Sequence, residues 1–134
     1  MSVLESGENY LEAILMLSKE KDGVHAIDIV NDLGFSKPSV SIMLKKLKDE
    51  GYIEIDNNQH IHLLPEGLKI AEKILERHEI LTEILTYLGV DPEIAEDDAC
   101  KIEHDLSDVT FAQIKKYYLD KIKKGLWKNL TFKK

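Results

Sequence analysis

The run Ala26-Ile27-Asp28-Ile29-Val30-Asn31-Asp32-Leu33-Gly34-Phe35-Ser36-Lys37-Pro38-Ser39-Val40 decides the fold. It reads as one short helix, a turn and the opening of a second helix. Ile27, Val30 and Leu33 recur at helical spacing and are the expected buried side of the first piece. Gly34 follows them and supplies the residue type that closes helices. Ser36 is placed to cap the next helix. Pro38 is tolerated in its first turn, where the amide that proline lacks has no intrahelical partner. Val40, Met43, Leu44 and Leu47 then form a core stripe.

Downstream, Gly51 closes the second helix. Tyr52-Ile53-Glu54-Ile55 and His60-Ile61-His62-Leu63 alternate, and Asp56-Asn57-Asn58-Gln59 between them is turn chemistry, so a hairpin is expected. Helix, turn, helix and hairpin is the order of a winged helix-turn-helix. Upstream, Ser6 is the expected N-cap of a helix with Tyr10, Leu11, Ile14, Leu15 and Leu17 as its apolar face. Pro65-Glu66-Gly67 opens a long helix through Leu88, with Ile70, Ile74, His78, Leu81, Ile84 and Leu85 inside. Pro92 starts another, running to about Leu106. Ser107 caps a last helix carrying Val109, Phe111, Ile114, Tyr118 and Ile122.

With 134 residues and a 43% hydrophobic share, the chain is long enough for one packed domain, or two small ones. One cysteine excludes an intramolecular disulfide framework and suits a reducing compartment. No signal peptide is legible and the longest apolar runs are too short to span a bilayer, so a cytoplasmic protein is expected. The net charge of −7 hides an asymmetry. Residues 115–134 hold eight Lys and one Asp, whereas residues 1–114 hold ten Lys and Arg against 24 Asp and Glu. Lys37, Lys45, Lys46 and Lys48 form a second basic cluster inside the acidic part. Distribution decides a nucleic-acid reading more than the sum does.

In a winged helix-turn-helix the second helix enters the major groove of double-stranded DNA. The expected contact residues are Ser36, Lys37, Pro38, Ser39, Ser41, Ile42, Lys45 and Lys46. Ser39 and Ser41 can bond base edges or phosphates. Lys37, Lys45 and Lys46 suit phosphates, which fix position without reading sequence. Ile42 offers only apolar contact, for instance to a thymine methyl. Asn57, Asn58 and Gln59 at the hairpin tip can reach a groove or the backbone.

The second informative stretch is Asp97-Asp98-Ala99-Cys100-Lys101-Ile102-Glu103-His104. On a helix, the i, i+3, i+4 spacing of Cys100, Glu103 and His104 puts a thiol, a carboxylate and an imidazole on one face. All three are ligand types for first-row transition metals. An enzyme is not expected, because no nucleophile–base pair or glycine-rich phosphate loop is visible.

These features together resemble the diphtheria toxin repressor family of metal-dependent transcription regulators. The resemblance runs through Glu8-Asn9-Tyr10-Leu11-Glu12, Ser36-Lys37-Pro38-Ser39-Val40-Ser41, Leu64-Pro65-Glu66-Gly67, Arg77-His78-Glu79 and Ala99-Cys100-Lys101-Ile102-Glu103-His104. In length the chain looks like the short, manganese-transport-regulator branch, without an SH3-like domain. The resemblance implies a mostly α fold: a winged helix-turn-helix over residues 1–70, then a helical metal-binding and dimerisation domain over residues 71–134. It implies the ligands His78, Glu103 and His104 in both branches, Cys100 as in iron-type members, and Glu12 as in manganese-type members. Asn9 departs from both branches but keeps an amide oxygen. Glu96 falls at an ancillary-site position of the iron type, and Thr82 replaces a carboxylate ligand of that site.

The implied function is a metal-activated repressor of iron or manganese homeostasis genes, acting as a homodimer on a palindromic operator. A thiolate in the donor set disfavours Mn(II) relative to Fe(II), Co(II) or Zn(II), while Glu12 and Asn9 pull back toward harder ions; with cellular availability helping to select, Fe(II) is the favoured ion and Mn(II) is next, and Co(II) or Zn(II) can substitute in vitro. The alternative is a metal-independent winged-helix regulator sensing a small molecule or an oxidant through Cys100.

Overall fold

The structure, a computed structural model, describes residues 5–123 and divides into two compact units, residues 1–75 and 76–134. The first unit opens with α1 (Glu5–Glu20). Glu5 and Glu8 suit the positive end of the helix dipole. Ser6 therefore lies inside the first turn and is not the cap expected from sequence. Every residue from Tyr10 to Leu15 is buried, Glu12 included.

α2 (Ala26–Leu33) begins where the His25 amide donates to Asp28 Oδ2 at 2.8 Å, and Lys21 Nζ reaches the same carboxylate at 3.0 Å. It ends at Gly34, whose φ of 74° is the left-handed region that glycine enters without a Cβ clash. The expected buried set needs one correction. Ile29 is fully buried, Val30 and Leu33 are partly so, and Ile27 is 46% exposed. Ile27 sits about 200° around the helix from Ile29, so one short helix cannot bury both against a single core.

α3 (Lys37–Asp49) starts as its sequence predicts. Ser36 Oγ accepts from the Ser39 amide at 3.2 Å, with Pro38 in the first turn. Val40, Leu44 and Leu47 are its buried stripe. The wing is two antiparallel strands, β1 (Ile53–Ile55) and β2 (Ile61–Leu63), with Ile53 opposite Leu63 and Ile55 opposite Ile61. Val24 adds an isolated bridge to Ile61. Both strands are shorter than the sequence alternation suggests, and His60 belongs to the turn. Asp56 organises that turn: Oδ1 accepts from the amides of Asn58 and His60, and Oδ2 meets His62 Nε2 at 2.8 Å. These bonds, the His62 contact first, hold the Asp56 carboxyl down at about 2.

α4 (Pro65–Tyr87) leaves the wing at Gly67, where a Cβ would overlap the Tyr52 carbonyl oxygen. Glycine there permits the close approach, and the Leu64 amide donates to the same oxygen at 2.9 Å. The unit's core joins Tyr10, Leu11, Ile14, Ile29, Val40, Leu44, Leu47, Ile53, Ile61, Ala71 and Leu75.

In the second unit, the rest of α4 is followed by α5 (Pro92–Ile102), α6 (Asp108–Tyr117) and one π-helical segment, Tyr118–Lys123. Asp91 caps α5 and Ser107 caps α6. Ile80, Phe111, Tyr118 and Ile122 are its buried apolar cluster, flanked by Ile84 and Leu106. Val109, expected on the apolar stripe of α6, is exposed instead. The Tyr118 hydroxyl donates to Glu83. Burial, then that carboxylate, pushes its pKa up to about 12. The basic carboxy-terminal segment lies outside the described residues from position 124 onward. No helix among the described residues is long and apolar enough to cross a membrane.

Candidate metal centre and nucleic-acid interface

α5 turns a carboxylate inward by simple periodicity. Ala95 and Ala99 are fully buried, and Glu103 is the next residue at the same four-residue step. Two small side chains let the helix come close to its neighbours, so the glutamate following them is carried into the interior. Glu103 is 0% exposed. α5 stops at Ile102 with Glu103 as its C-cap, four residues before the end expected from sequence. Arg77 explains the early stop. Its Nη1 donates to the carbonyls of Glu103 at 3.0 Å and Leu106 at 2.5 Å, drawing the chain out of the helix. Its Nη2 meets Asp108 Oδ1 at 2.6 Å, and the guanidinium lies 5.1 Å over the Phe111 ring.

His78 follows Arg77 on α4 and spans two carboxylates. Its Nδ1 is 3.1 Å from Glu103 Oε2, and its Nε2 is 4.0 Å from Glu96 Oε1. His104, beside Glu103, places Nε2 at 3.4 Å from Glu103 Oε1. Of the residues expected to ligate, the second unit thus brings together His78, Glu96, Glu103 and His104. Cys100, one turn after Glu96 on α5, is exposed, and His104 lies in the turn after that helix. Asn9 and Glu12 belong to the first unit on α1, Asn9 partly buried and Glu12 buried.

The donors present fit a divalent cation. Glu103 Oε1 is buried and has no hydrogen-bond partner among the described residues. A buried polar atom left in that state costs about 1–3 kcal/mol, and more when charged. An imidazole on each side and a second carboxylate nearby form the nitrogen and oxygen set that first-row transition ions take. Arg77 was quoted within a motif but given no role by sequence reasoning. Its signal was present: it falls at the interior spacing between Ile74 and Leu81, where a cation must find buried acceptors.

The proposed DNA face is in the first unit. Lys37, Pro38, Ser39, Ser41, Ile42, Lys45 and Lys46 are all exposed on α3, while Ser36 serves as its cap. Lys45 Nζ pairs with Asp49 at 2.9 Å. Asn57, Asn58 and Gln59 are exposed at the wing tip.

Known proteins match both halves in order. A family described as "Iron dependent repressor, N-terminal DNA binding domain" matches residues 2–61. A second, "Iron dependent repressor, metal binding and dimerisation domain", matches residues 64–124. The transcriptional regulator MntR of Salmonella typhimurium is 40% identical over 103 residues, covering 77% of this chain and 66% of that protein. An uncharacterised HTH-type transcriptional regulator of Methanocaldococcus jannaschii is 33% identical over 121 residues, covering 89% of this chain and 96% of its own length. The solved structure of the manganese regulator SloR superposes with a TM-score of 0.74 at 26% identity, covering 87% of this chain and 54% of that one. The chain therefore spans little more than half of SloR and just under two thirds of the Salmonella relative. On these matches the chain belongs to the iron-dependent repressor family of winged-helix transcriptional regulators, the diphtheria toxin repressor group that its motifs resemble.

Proposed function

We propose that this chain is a metal-activated, DNA-binding transcriptional repressor of metal homeostasis genes, working as a homodimer on a palindromic operator. The observation that carries the reading is Glu103: a fully buried carboxylate between two imidazoles, with one oxygen unbonded among the described residues, in a chain that opens with a winged helix-turn-helix. The proposed functional division is residues 1–70 for DNA and 71–134 for metal and dimerisation. His78, Glu103 and His104 are the proposed central ligands, with Glu96, Cys100, Asn9 and Glu12 as further donors. Ser36, Lys37, Pro38, Ser39, Ser41, Ile42, Lys45 and Lys46 are the proposed DNA-contact residues.

A bound divalent ion would supply the positive charge that this acidic donor set lacks. His78 and His104 offer ring nitrogens and Glu103 offers its unbonded oxygen. In this reading, ion binding at these residues and DNA binding by the first unit are coupled. Coupling of this type is typically about 1–3 kcal/mol and acts in both directions, so DNA tightens metal binding by the factor by which metal tightens DNA binding. Fe(II) is the favoured ion: a Cys100 thiolate disfavours Mn(II) relative to Fe(II), Co(II) and Zn(II), and cellular availability selects Fe(II) over Zn(II). Mn(II) is next, supported by Glu12 and by the manganese regulator SloR among the relatives.

The test is anaerobic binding to duplexes selected from random-sequence DNA, with Fe(II), Mn(II), Co(II) or Zn(II) added in turn. Binding that appears only with an ion and vanishes in Glu103→Ala supports the reading. Equal binding in the presence of a chelator rejects it. Binding that ignores chelator and Glu103→Ala yet responds to peroxide through Cys100 favours the oxidant-sensing alternative.

A further inference from the structure

The outer face of the wing carries a donor cluster that neither the buried metal centre nor the reading helix uses. Glu54 lies opposite His62 in the hairpin register, while Ile53 and Ile61 at the alternate positions are buried. Side chains two apart along a strand share a face. Glu54, Asp56, His60 and His62 therefore fall together on the side away from the core. No Lys or Arg occurs from Ile53 to Leu63, so the hairpin itself brings no fixed positive charge to these two carboxylates.

The donors converge on one atom. Asp56 Oδ2 is 2.8 Å from His62 Nε2 and 3.7 Å from His60 Nδ1. Donors about 2.1 Å from a tetrahedral ion stand about 3.4 Å from one another, between those two values. Asp56 Oδ1 accepts from the amides of Asn58 and His60, which holds the carboxylate in place and leaves Oδ2 to the imidazoles. The His60 ring is held too. It lies over Gly23, where a Cβ would stand 2.6 Å from its Nε2, and it meets the His25 ring edge-on at a centroid distance of 4.6 Å. The Ile61 amide donates to the Val24 carbonyl at 2.8 Å and keeps that segment beside the hairpin. His62 is half-exposed, so its ring can pivot on Asp56 and close the 6.5 Å between the two ring centroids.

We propose that Asp56, His60 and His62 form a peripheral site for a late first-row divalent ion, of the Zn(II), Ni(II) or Cu(II) class, with Glu54 the neighbouring carboxylate. Two imidazoles and a carboxylate are donors these ions take, and three protein ligands leave a position open to water. Mn(II), lowest in the affinity order, is held least. The ion takes the place of the hydrogen bond between Asp56 and His62, and His62 then carries its proton on Nδ1.

The experiment titrates Zn(II) into the metal-free full chain and follows the histidine rings by proton–nitrogen correlation NMR, each ring assigned through its own His→Gln variant. Glu103→Ala, which impairs the buried centre, isolates the wing. The expected result is that the His60 and His62 ring nitrogens shift together, at the same Zn(II) concentration, in wild type and in Glu103→Ala. His60→Gln should raise the Zn(II) concentration needed to shift His62 by about tenfold or more. Two results overturn the proposal: wing rings that stay unshifted in wild type under excess Zn(II), or a His62 response unaltered by His60→Gln. The first is read on the unmodified chain, so it does not depend on a variant folding. The His78 and His104 rings report the buried centre in the same spectra, so failure there and failure at the wing are distinguishable.

Discussion

In the first unit the interior is hydrocarbon from α1 through the wing to the start of α4, with Glu12 its one buried charged side chain among the described residues, and the exposed face of α3 is polar apart from Ile42 and Pro38. In the second unit the apolar cluster is four buried residues, and two charged groups, Arg77 and Glu103, share the interior. The first arrangement is self-sufficient, because apolar burial needs no partner outside the chain. The second depends on pairing. Arg77 donates from both terminal nitrogens to carbonyls and Asp108 but leaves Nε without a hydrogen bond, and Glu103 retains an oxygen without one, among the described residues. The difference points to the second unit as the part whose stability a bound ion would alter most.

The largest effect should come from the hydrocarbon side. Ile29→Ala removes a fully buried side chain and should cost about 2–5 kcal/mol in denaturant unfolding. The loss should be equal with and without divalent ion. Rescue by metal would break the contrast between the units. Next, wild-type protein at a hundredfold excess of ion over Kd should gain about 2.7 kcal/mol. Glu103→Ala should gain almost none, measured as the metal-induced shift in Tm. Arg77→Met strips donors from two carbonyls and should cost about 2 kcal/mol. Hydrogen exchange should localise that loss to residues 103–108.

Two pH effects should be smaller. The Tyr118 pKa is raised from 10.0 to about 12, so its contribution is complete below pH 10 and is lost as pH rises toward 12. Tyr118→Phe should flatten that alkaline limb. The Asp56 pKa is lowered from 3.8 to about 2, so its contribution is present above pH 4 and fades between pH 4 and 2. Asp56→Asn should remove this acid dependence at the wing and leave the second unit unchanged, as read by residue-level NMR.

The first unit was the more legible in sequence. Ser36, Pro38 and Gly34 carry local rules that hold whatever surrounds them, and α3 starts where they place it. Ile27 and Ser6 were misread because burial of a short helix and the first residue of a longer one are set by neighbours that periodicity does not see. In the second unit the Glu103 and His104 pair was visible as a motif, but the end of α5 was not. That end is imposed by Arg77, twenty-six positions away in sequence, and no local signal announces it. Cys100 shows another limit: spacing marks it as a neighbour of Glu103 but does not say that its side chain is exposed.

The grip of Arg77 on the Glu103 and Leu106 carbonyls has a kinetic consequence. A guanidinium is charged at every physiological pH, so the turn carrying Glu103 and His104 keeps its shape whether or not an ion is present. The ordering of that turn belongs to the folding step and not to ion capture. With Glu103 and His104 as the proposed ligands, capture would approach a simple collision-and-exchange event, and a cell would register a change in free metal as fast as water leaves the ion.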